Sequence, residues 1–193
     1  MASGRGSNAV ALMEAFAEGF IPAELALVLS NKPEAPVLDS AAAAGIETVA
    51  IPSKGKSRQE HETLLLLALD DHDVDHVLLA GYMRILTGHF LNGFDGRVIN
   101  IHPALLPDFP GLHAAERQWE AGVKVAGATV HFVDEGVDTG PTLLQGSLIV
   151  RGDEGAEGLA ARILEEIEHV IYPRAVRLFV DRLTRDEQTG DES

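Results

Sequence analysis

Asn100 and His102 stand two apart at the end of the apolar run Val98-Ile99-Asn100-Ile101. On a strand, that spacing puts the amide and the imidazole on one side. Pro103, Pro107 and Pro110 follow within eight residues and stiffen the chain as it leaves. A second stretch, EGVDTGP at 135–141, sets Asp138 in a turn built by Gly136, Gly140 and Pro141. An Asp in such a turn commonly bonds its own backbone. If the turn instead reaches the exit of the 97–101 strand, Asp138 meets His102. A carboxylate beside an imidazole favours the imidazolium. With the Asn100 amide alongside, the three would form a trap for a developing oxyanion.

GRGSNA at 4–9 opens a helix with small residues and free N–H groups, a cradle for phosphate. The same letters fit a dinucleotide pattern, which needs an acid at the end of the next strand. That strand ends in Ser30-Asn31-Lys32, so a simple phosphate is the better reading. GKS at 55–57 lacks the first glycine of a P-loop, and Lys54 and Arg58 read as solvated charges. GYMRIL at 81–86 leaves a strand where open α/β sheets bind ligands, although alone it reads as a core turn. His131, inside the apolar ATVHFV, reads as a satisfied core residue. His102, His113 and His131 lack close metal-ligand spacing, so no metal site is expected.

The 193 residues, 46% hydrophobic, suit one compact domain. A net charge of −15 disfavours nucleic acid and anionic membranes as partners. The absence of cysteine excludes disulfides and thiolate catalysis and fits a reducing cytoplasm. No apolar run approaches the roughly 20 residues of a membrane span, and no signal-peptide layout is visible.

Strands are expected at 25–30, 47–51, 75–80, 97–101, 128–133 and 142–150. Helices are expected at 8–18, 36–44 and 57–71, the last opened by a Ser57–Glu60 capping box. This alternation implies a parallel sheet covered on both faces, with a hairpin between 128 and 150. One long helix follows from Glu154 to about Leu183, kinked or divided at Pro173. The segment 184–193 is polar and expected to be a disordered tail after a single domain at 1–183. A strand should also launch the glycine loop. Only Met1 and Ala2 precede Ser3, so about five to seven residues of strand are expected to be missing.

N-I-H-P-A-L-L-P, P-G-L-H-A and G-A-T-V-H-F-V-D-E-G-V-D-T-G-P, in this order, closely resemble the folate-dependent phosphoribosylglycinamide formyltransferases. The likeness runs from the glycine loop to about Pro173. It implies a single-domain, Rossmann-like α/β fold with a mostly parallel sheet of about seven strands. It implies transfer of a formyl group from 10-formyltetrahydrofolate to the amine of glycinamide ribonucleotide, with no metal. By resemblance, Asn100, His102 and Asp138 are the catalytic trio. Gly4, Arg5, Gly6, Ser7 and Asn8 bind the phosphate and ribose, and Glu168 contacts the sugar. Arg58, Met83, Arg84, Ile85, Leu86 and Asn100 form the folate pocket, bordered by the 133–138 loop. The partners implied are small molecules, and the chain is expected to act as a monomer or homodimer. Formyltetrahydrofolate deformylase and methionyl-tRNA formyltransferase resemble parts of this pattern but carry an additional domain. A non-catalytic folate or nucleotide sensor would have no need to keep all three catalytic residues.

Overall fold

The computed structural model describes residues 1–190, and of 184–190 the backbone course alone. Six strands form among the described residues: β1 (Leu27–Ser30), β2 (Glu47–Ala50), β3 (Val77–Leu79), β4 (Val98–His102), β5 (Val125–Phe132) and β6 (Thr142–Ile149). Each falls within or close to a run predicted from the sequence. β1 pairs with β2, and β3 with β4, in parallel. β4–β5 and β5–β6 are antiparallel, the last being the expected hairpin.

The expected strand ahead of the glycine loop is reduced to Met1–Ser3, which lie between β1 and β3. Ala2 bridges Ser30 in parallel, the Ala2 N–H donates to the Leu29 carbonyl, and the Ser3 N–H donates to the Gly81 carbonyl. The count is therefore six strands and a bridge, where about seven strands were expected. The spatial order is β2-β1-(Met1–Ser3)-β3-β4-β5-β6.

Alternation along the strands makes two cores. Val28, Ile99 and Ile101 face one cluster with Leu12 and Met13 of α1 (Ser7–Ala17) and with Val176 and Phe179 of the C-terminal helix. Leu27, Leu29, Val77, Leu79 and Val98 face the other. There they meet Leu65 and Leu69 of α3 (Arg58–Asp70), with Phe90 of the single-turn α4 (Gly88–Leu91). Both faces are thus covered, as near-continuous apolar strands require. α2 (Pro36–Ala43) follows β1, with proline at its first turn. α3 begins with the expected capping box, in which Ser57 and Glu60 satisfy each other's backbone N–H. α5 (Ala114–Glu120) follows the proline-rich segment and had no counterpart among the predicted elements.

The C-terminal helix divides, but not at Pro173. α6 (Gly155–Arg162) passes into a π-helical stretch at Ile163–Glu168, and α7 (His169–Gly190) contains Pro173 in its interior. Pro173 cannot donate to the carbonyl four residues back, and the widened turn ends at Glu168, five residues before it. Helix α7 continues along 184–190 of the expected tail, and residues 191–193 lie outside the described residues. Among the described residues, no helix is long and apolar enough to cross a membrane.

Candidate active site

Parallel strands release their loops at one end of the sheet. The glycine loop leaves Met1–Ser3 there, the 81–87 loop follows β3, and Asn100 and His102 close β4. This is the end where open α/β sheets bind ligands. The Ser3 hydroxyl ties the loops together. It donates to Asn31 Oδ1 at 2.6 Å and accepts from the Met83 N–H at 2.8 Å.

Asp138 reaches His102. Its Oδ2 lies 3.2 Å from His102 Nδ1 and accepts from the Gly111 N–H at 2.7 Å. Its own turn is held by a different acid: Asp134 Oδ1 accepts from the Gly136 N–H and the Thr139 hydroxyl. Asp138 is thereby freed from the usual structural role and sits at φ 56°. A Cβ at Gly140 would collide with the Phe132 carbonyl, so the turn demands glycine there. Burial raises the Asp138 carboxyl, but the imidazoles of His131 and His102 and the Gly111 N–H outweigh it. The net effect holds it below its ordinary value.

His102 is 5% exposed and faces an acceptor at each nitrogen. Nε2 lies 2.9 Å from the Phe109 carbonyl, which can only accept, and Nδ1 faces the ionised Asp138. Both neighbours can only accept hydrogen bonds. The proline-rich segment that supplies Phe109 and Gly111 is anchored along its length. Thr129 Oγ1 donates to the Ala104 carbonyl and accepts from the Leu106 N–H. Gln118 Nε2 donates to the Pro103 carbonyl.

His131 belongs to this site, although its sequence context suggested a core residue. It is 2% exposed, yet pairs with Asn100 across the antiparallel β4–β5 ladder. Its Nδ1 donates to the Phe132 carbonyl at 2.8 Å. In the neutral ring, Nε2 therefore accepts, and the Asn100 amide nitrogen is 3.2 Å away. Asp138 Oδ1 stands 3.5 Å from the same Nε2. Strand register is the signal that would have found it: the β4–β5 ladder places His131 opposite Asn100.

The glycine loop makes a second centre. Gly6 caps α1 at φ 69°, and a Cβ there would strike Val37. No side chain caps α1 and its first turn holds no acid, so its N–H groups are open to an anion. Asn8 donates from Nδ2 to Glu168 Oε2, joining the loop to the π-helical turn. Glu168 is 6% exposed, and burial raises its carboxyl despite the lowering by Asn8. Arg5 is exposed beside them.

The 81–87 loop offers Met83 and Ile85, which are exposed, and Arg84, which is half-buried. Leu86 is different, since its side chain lies in the core and only its backbone can face a ligand. Arg58 is exposed at the first turn of α3, one turn before His61, whose Nε2 lies 2.9 Å from the Tyr82 hydroxyl. Burial foremost, then Arg84 and Lys56, lower the His61 pKa against the pull of Glu62. Among the described residues, no group of three or more His, Cys, Asp or Glu could hold a metal ion.

A family model described as formyl transferase matches residues 1–176. The chain is 38% identical over 188 residues to phosphoribosylglycinamide formyltransferase of Bacillus subtilis, covering 97% of this chain and 96% of that protein. It is 43% identical to the trifunctional purine biosynthetic protein adenosine-3 of Drosophila melanogaster, covering 93% of this chain but 13% of that longer protein. A solved structure, glycinamide ribonucleotide transformylase 1 of Symbiobacterium toebii, superposes with a TM-score of 0.90 at 45% identity. That match covers 93% of this chain and 85% of the other.

Proposed function

The chain belongs to the formyl transferase family, and from that premise we propose a reaction for its site. It transfers the formyl group of 10-formyltetrahydrofolate to the amine of 5′-phosphoribosylglycinamide, a step of de novo purine biosynthesis. The observation that carries this reading is the His102–Asp138 pair at 3.2 Å, beside Asn100.

The amine is itself the nucleophile, so the chemistry needs neither a Ser or Cys nucleophile nor a metal. Its lone pair forms the new C–N bond as the formyl C=O opens to a tetrahedral oxyanion. His102 donates its Nε2–H to that oxygen once the substrate has displaced the Phe109 carbonyl from its 2.9 Å contact. Asn100 gives the hydrogen of its amide that His131 does not hold. Asp138 keeps His102 protonated and accepts, through water, the proton shed by the attacking nitrogen. The oxyanion then re-forms C=O as the bond to the folate nitrogen breaks, and that nitrogen takes up, through the same water, the proton Asp138 had accepted, releasing tetrahydrofolate and the N-formylated product.

Gly4, Arg5, Gly6, Ser7 and Asn8 hold the phosphate and ribose through backbone N–H groups, which act locally against a net charge of −15. Glu168 contacts the sugar. Arg58, the 83–86 segment, Asn100 and the 133–138 loop take the folate. The formyltransferase domain spans 1–183. The enzyme works on small molecules in the cytoplasm, as a monomer or homodimer, without nucleic acid or membrane partners.

One assay tests the reaction: loss of formyl from 10-formyltetrahydrofolate, with and without the ribonucleotide amine. Amine-dependent loss is expected. Equal loss without the amine would replace this reading with a deformylase, and binding without turnover would replace it with a sensor.

A further inference from the structure

His61 joins α3 to the 81–87 loop. It sits near the start of the helix, where its N–H donates to the Ser57 carbonyl at 3.1 Å. It is 1% exposed, and its Nε2 lies 2.9 Å from the Tyr82 hydroxyl. Tyr82 and Leu86 both turn their side chains into the α3 core. Between them Met83 and Ile85 stand exposed, with Arg84 half-buried. The stretch is thus pinned at both ends and offers its middle to a ligand. At the Tyr82 end, the pin includes the hydrogen bond to His61.

The other ring nitrogen has no such contact. Nδ1 of His61 is buried without a hydrogen-bond partner. A doubly protonated ring necessarily carries an N–H there, and a buried donor that lacks an acceptor is costly. The same proton would put a positive charge near Arg84 of the loop and Lys56 of the turn ahead of α3. Glu62 is the opposing charge, but its two oxygens already accept from the Thr87 N–H and hydroxyl. Burial first, then Arg84 and Lys56, hold the His61 ring below its ordinary value of 6.5.

Resting on the assignment of Met83–Ile85 to the folate, we propose that His61 is a positioning residue for that ligand. Through the Tyr82 hydroxyl it holds Met83–Ile85 in their binding arrangement, and a proton on its ring loosens the stretch and weakens folate binding. The neutral ring fits the closed loop, and the imidazolium fits an open one. The closed loop therefore has its full stability above the ordinary value of 6.5 and loses it as the pH falls through the lowered one. A released stretch must be ordered again when folate binds, and the apparent affinity drops with the fraction still ordered. Direct attraction between an imidazolium and the folate carboxylates would have the opposite effect, tightening binding in acid.

The test measures the Kd of tetrahydrofolate by calorimetry, with a thiol present, and the amide protection factors of Met83–Ile85 in the free protein. At pH 7.5, Tyr82→Phe and His61→Phe are each expected to weaken binding by about fivefold, the scale of one hydrogen bond. Both should lower protection at Met83–Ile85 while α1 keeps its own. His61→Gln, whose amide can take the place of Nε2, is expected to bind within about twofold of the unaltered chain. The double variant His61→Phe with Tyr82→Phe leaves neither partner unpaired. It should keep the Tm of the unaltered chain while its affinity stays at the level of the single variants, a split that a merely structural pair would not give. From pH 7.5 to pH 5.5 the unaltered chain should lose about threefold or more in affinity. His61→Gln, which does not titrate, should lose less. Equal pH profiles for these two proteins, or tighter binding in acid, would overturn the proposal. Equal affinity and protection in every protein would overturn it alone, whereas failure of the unaltered chain to bind tetrahydrofolate would overturn the folate assignment with it.

Discussion

His131 and Asn100 face one another across the β4–β5 ladder, with the imidazole Nε2 3.2 Å from the amide nitrogen. Because Nδ1 of His131 is committed to the Phe132 carbonyl, Nε2 can only accept while the ring is neutral. In that ring form, the end of the Asn100 side chain that faces His131 is its nitrogen. His131→Phe keeps the ring volume and removes the acceptor. Turnover is expected to fall by roughly tenfold to a hundredfold, the scale of a misplaced catalytic group. KM for the ribonucleotide should hold within about twofold, since the phosphate loop is untouched. A kcat equal to that of the unaltered enzyme would remove His131 from the site.

Asp138 predicts both a rate effect and a pH effect. Asp138→Asn and His102→Ala should each lower kcat by about 10²–10³-fold, the usual loss for a group that stabilises an oxyanion. The Asp138 carboxyl is held below its ordinary value of 3.8. Its ionised form therefore contributes stability that is fully present above that value and is lost as the pH falls below it. Urea midpoints between pH 6 and pH 3 should fall less steeply for Asp138→Asn than for the unaltered chain. Parallel curves would show that the carboxylate does not stabilise the fold through these contacts.

Glu168 runs the other way. Burial raises its carboxyl, so the folded chain binds that proton more tightly than the unfolded chain does. The ionised form then costs stability, a cost that sets in as the pH climbs through the ordinary value of 4.5 and is complete above the raised one. Glu168→Gln is expected to melt a few degrees higher than the unaltered chain at pH 7.5, with the gap closing toward pH 4.5. It should also raise KM for the ribonucleotide by about tenfold, a loss of roughly 1.4 kcal/mol. A variant neither more stable nor weaker in binding would refute both roles. A residue kept at a cost to stability is the pattern expected where function needs it.

Much of this was legible in the sequence because the signals were local. Apolar runs such as Asp75–Ala80 and the capping box at Ser57 and Glu60 announce a strand and a helix start without help from the rest of the chain. What escaped depends on contacts between distant segments. His131 looked like core because burial is written in its neighbours, whereas its pairing with Asn100 follows from the register of β5 against β4. Leu86 is an apolar residue in a loop, and only the packing under α3 and α4 shows that its side chain points inward. Pro173 marked a disturbance in the helix but not its form. The widened turn precedes it at Ile163–Glu168, where Glu168 bonds Asn8, 160 positions away. Met1–Ser3 are too few to read as a strand, and only their bonds to both neighbours reveal one.

Side chains hold the 81–87 loop at three points, two of them from α3. His61 meets the Tyr82 hydroxyl, the Ser3 hydroxyl accepts from the Met83 N–H, and Glu62 holds Thr87. Glu62 is 2% exposed, and its two oxygens accept separately from the Thr87 N–H and the Thr87 hydroxyl. Between these ties lie Met83, Arg84 and Ile85, proposed to take the folate. Releasing Thr87 should let that stretch move, so ordering it again becomes a cost of folate binding. Glu62→Ala is expected to raise KM for 10-formyltetrahydrofolate by about tenfold and to cost about 1 kcal/mol of stability, because the half-buried donors of Thr87 lose their acceptor. Glu62→Gln keeps one carbonyl oxygen and should fall between the two. KM for the ribonucleotide should stay within about twofold in both variants, since Asn8 and the glycine loop do not touch Glu62. Folate KM values that are the same in all three proteins would show that the tie at Thr87 does not shape the pocket.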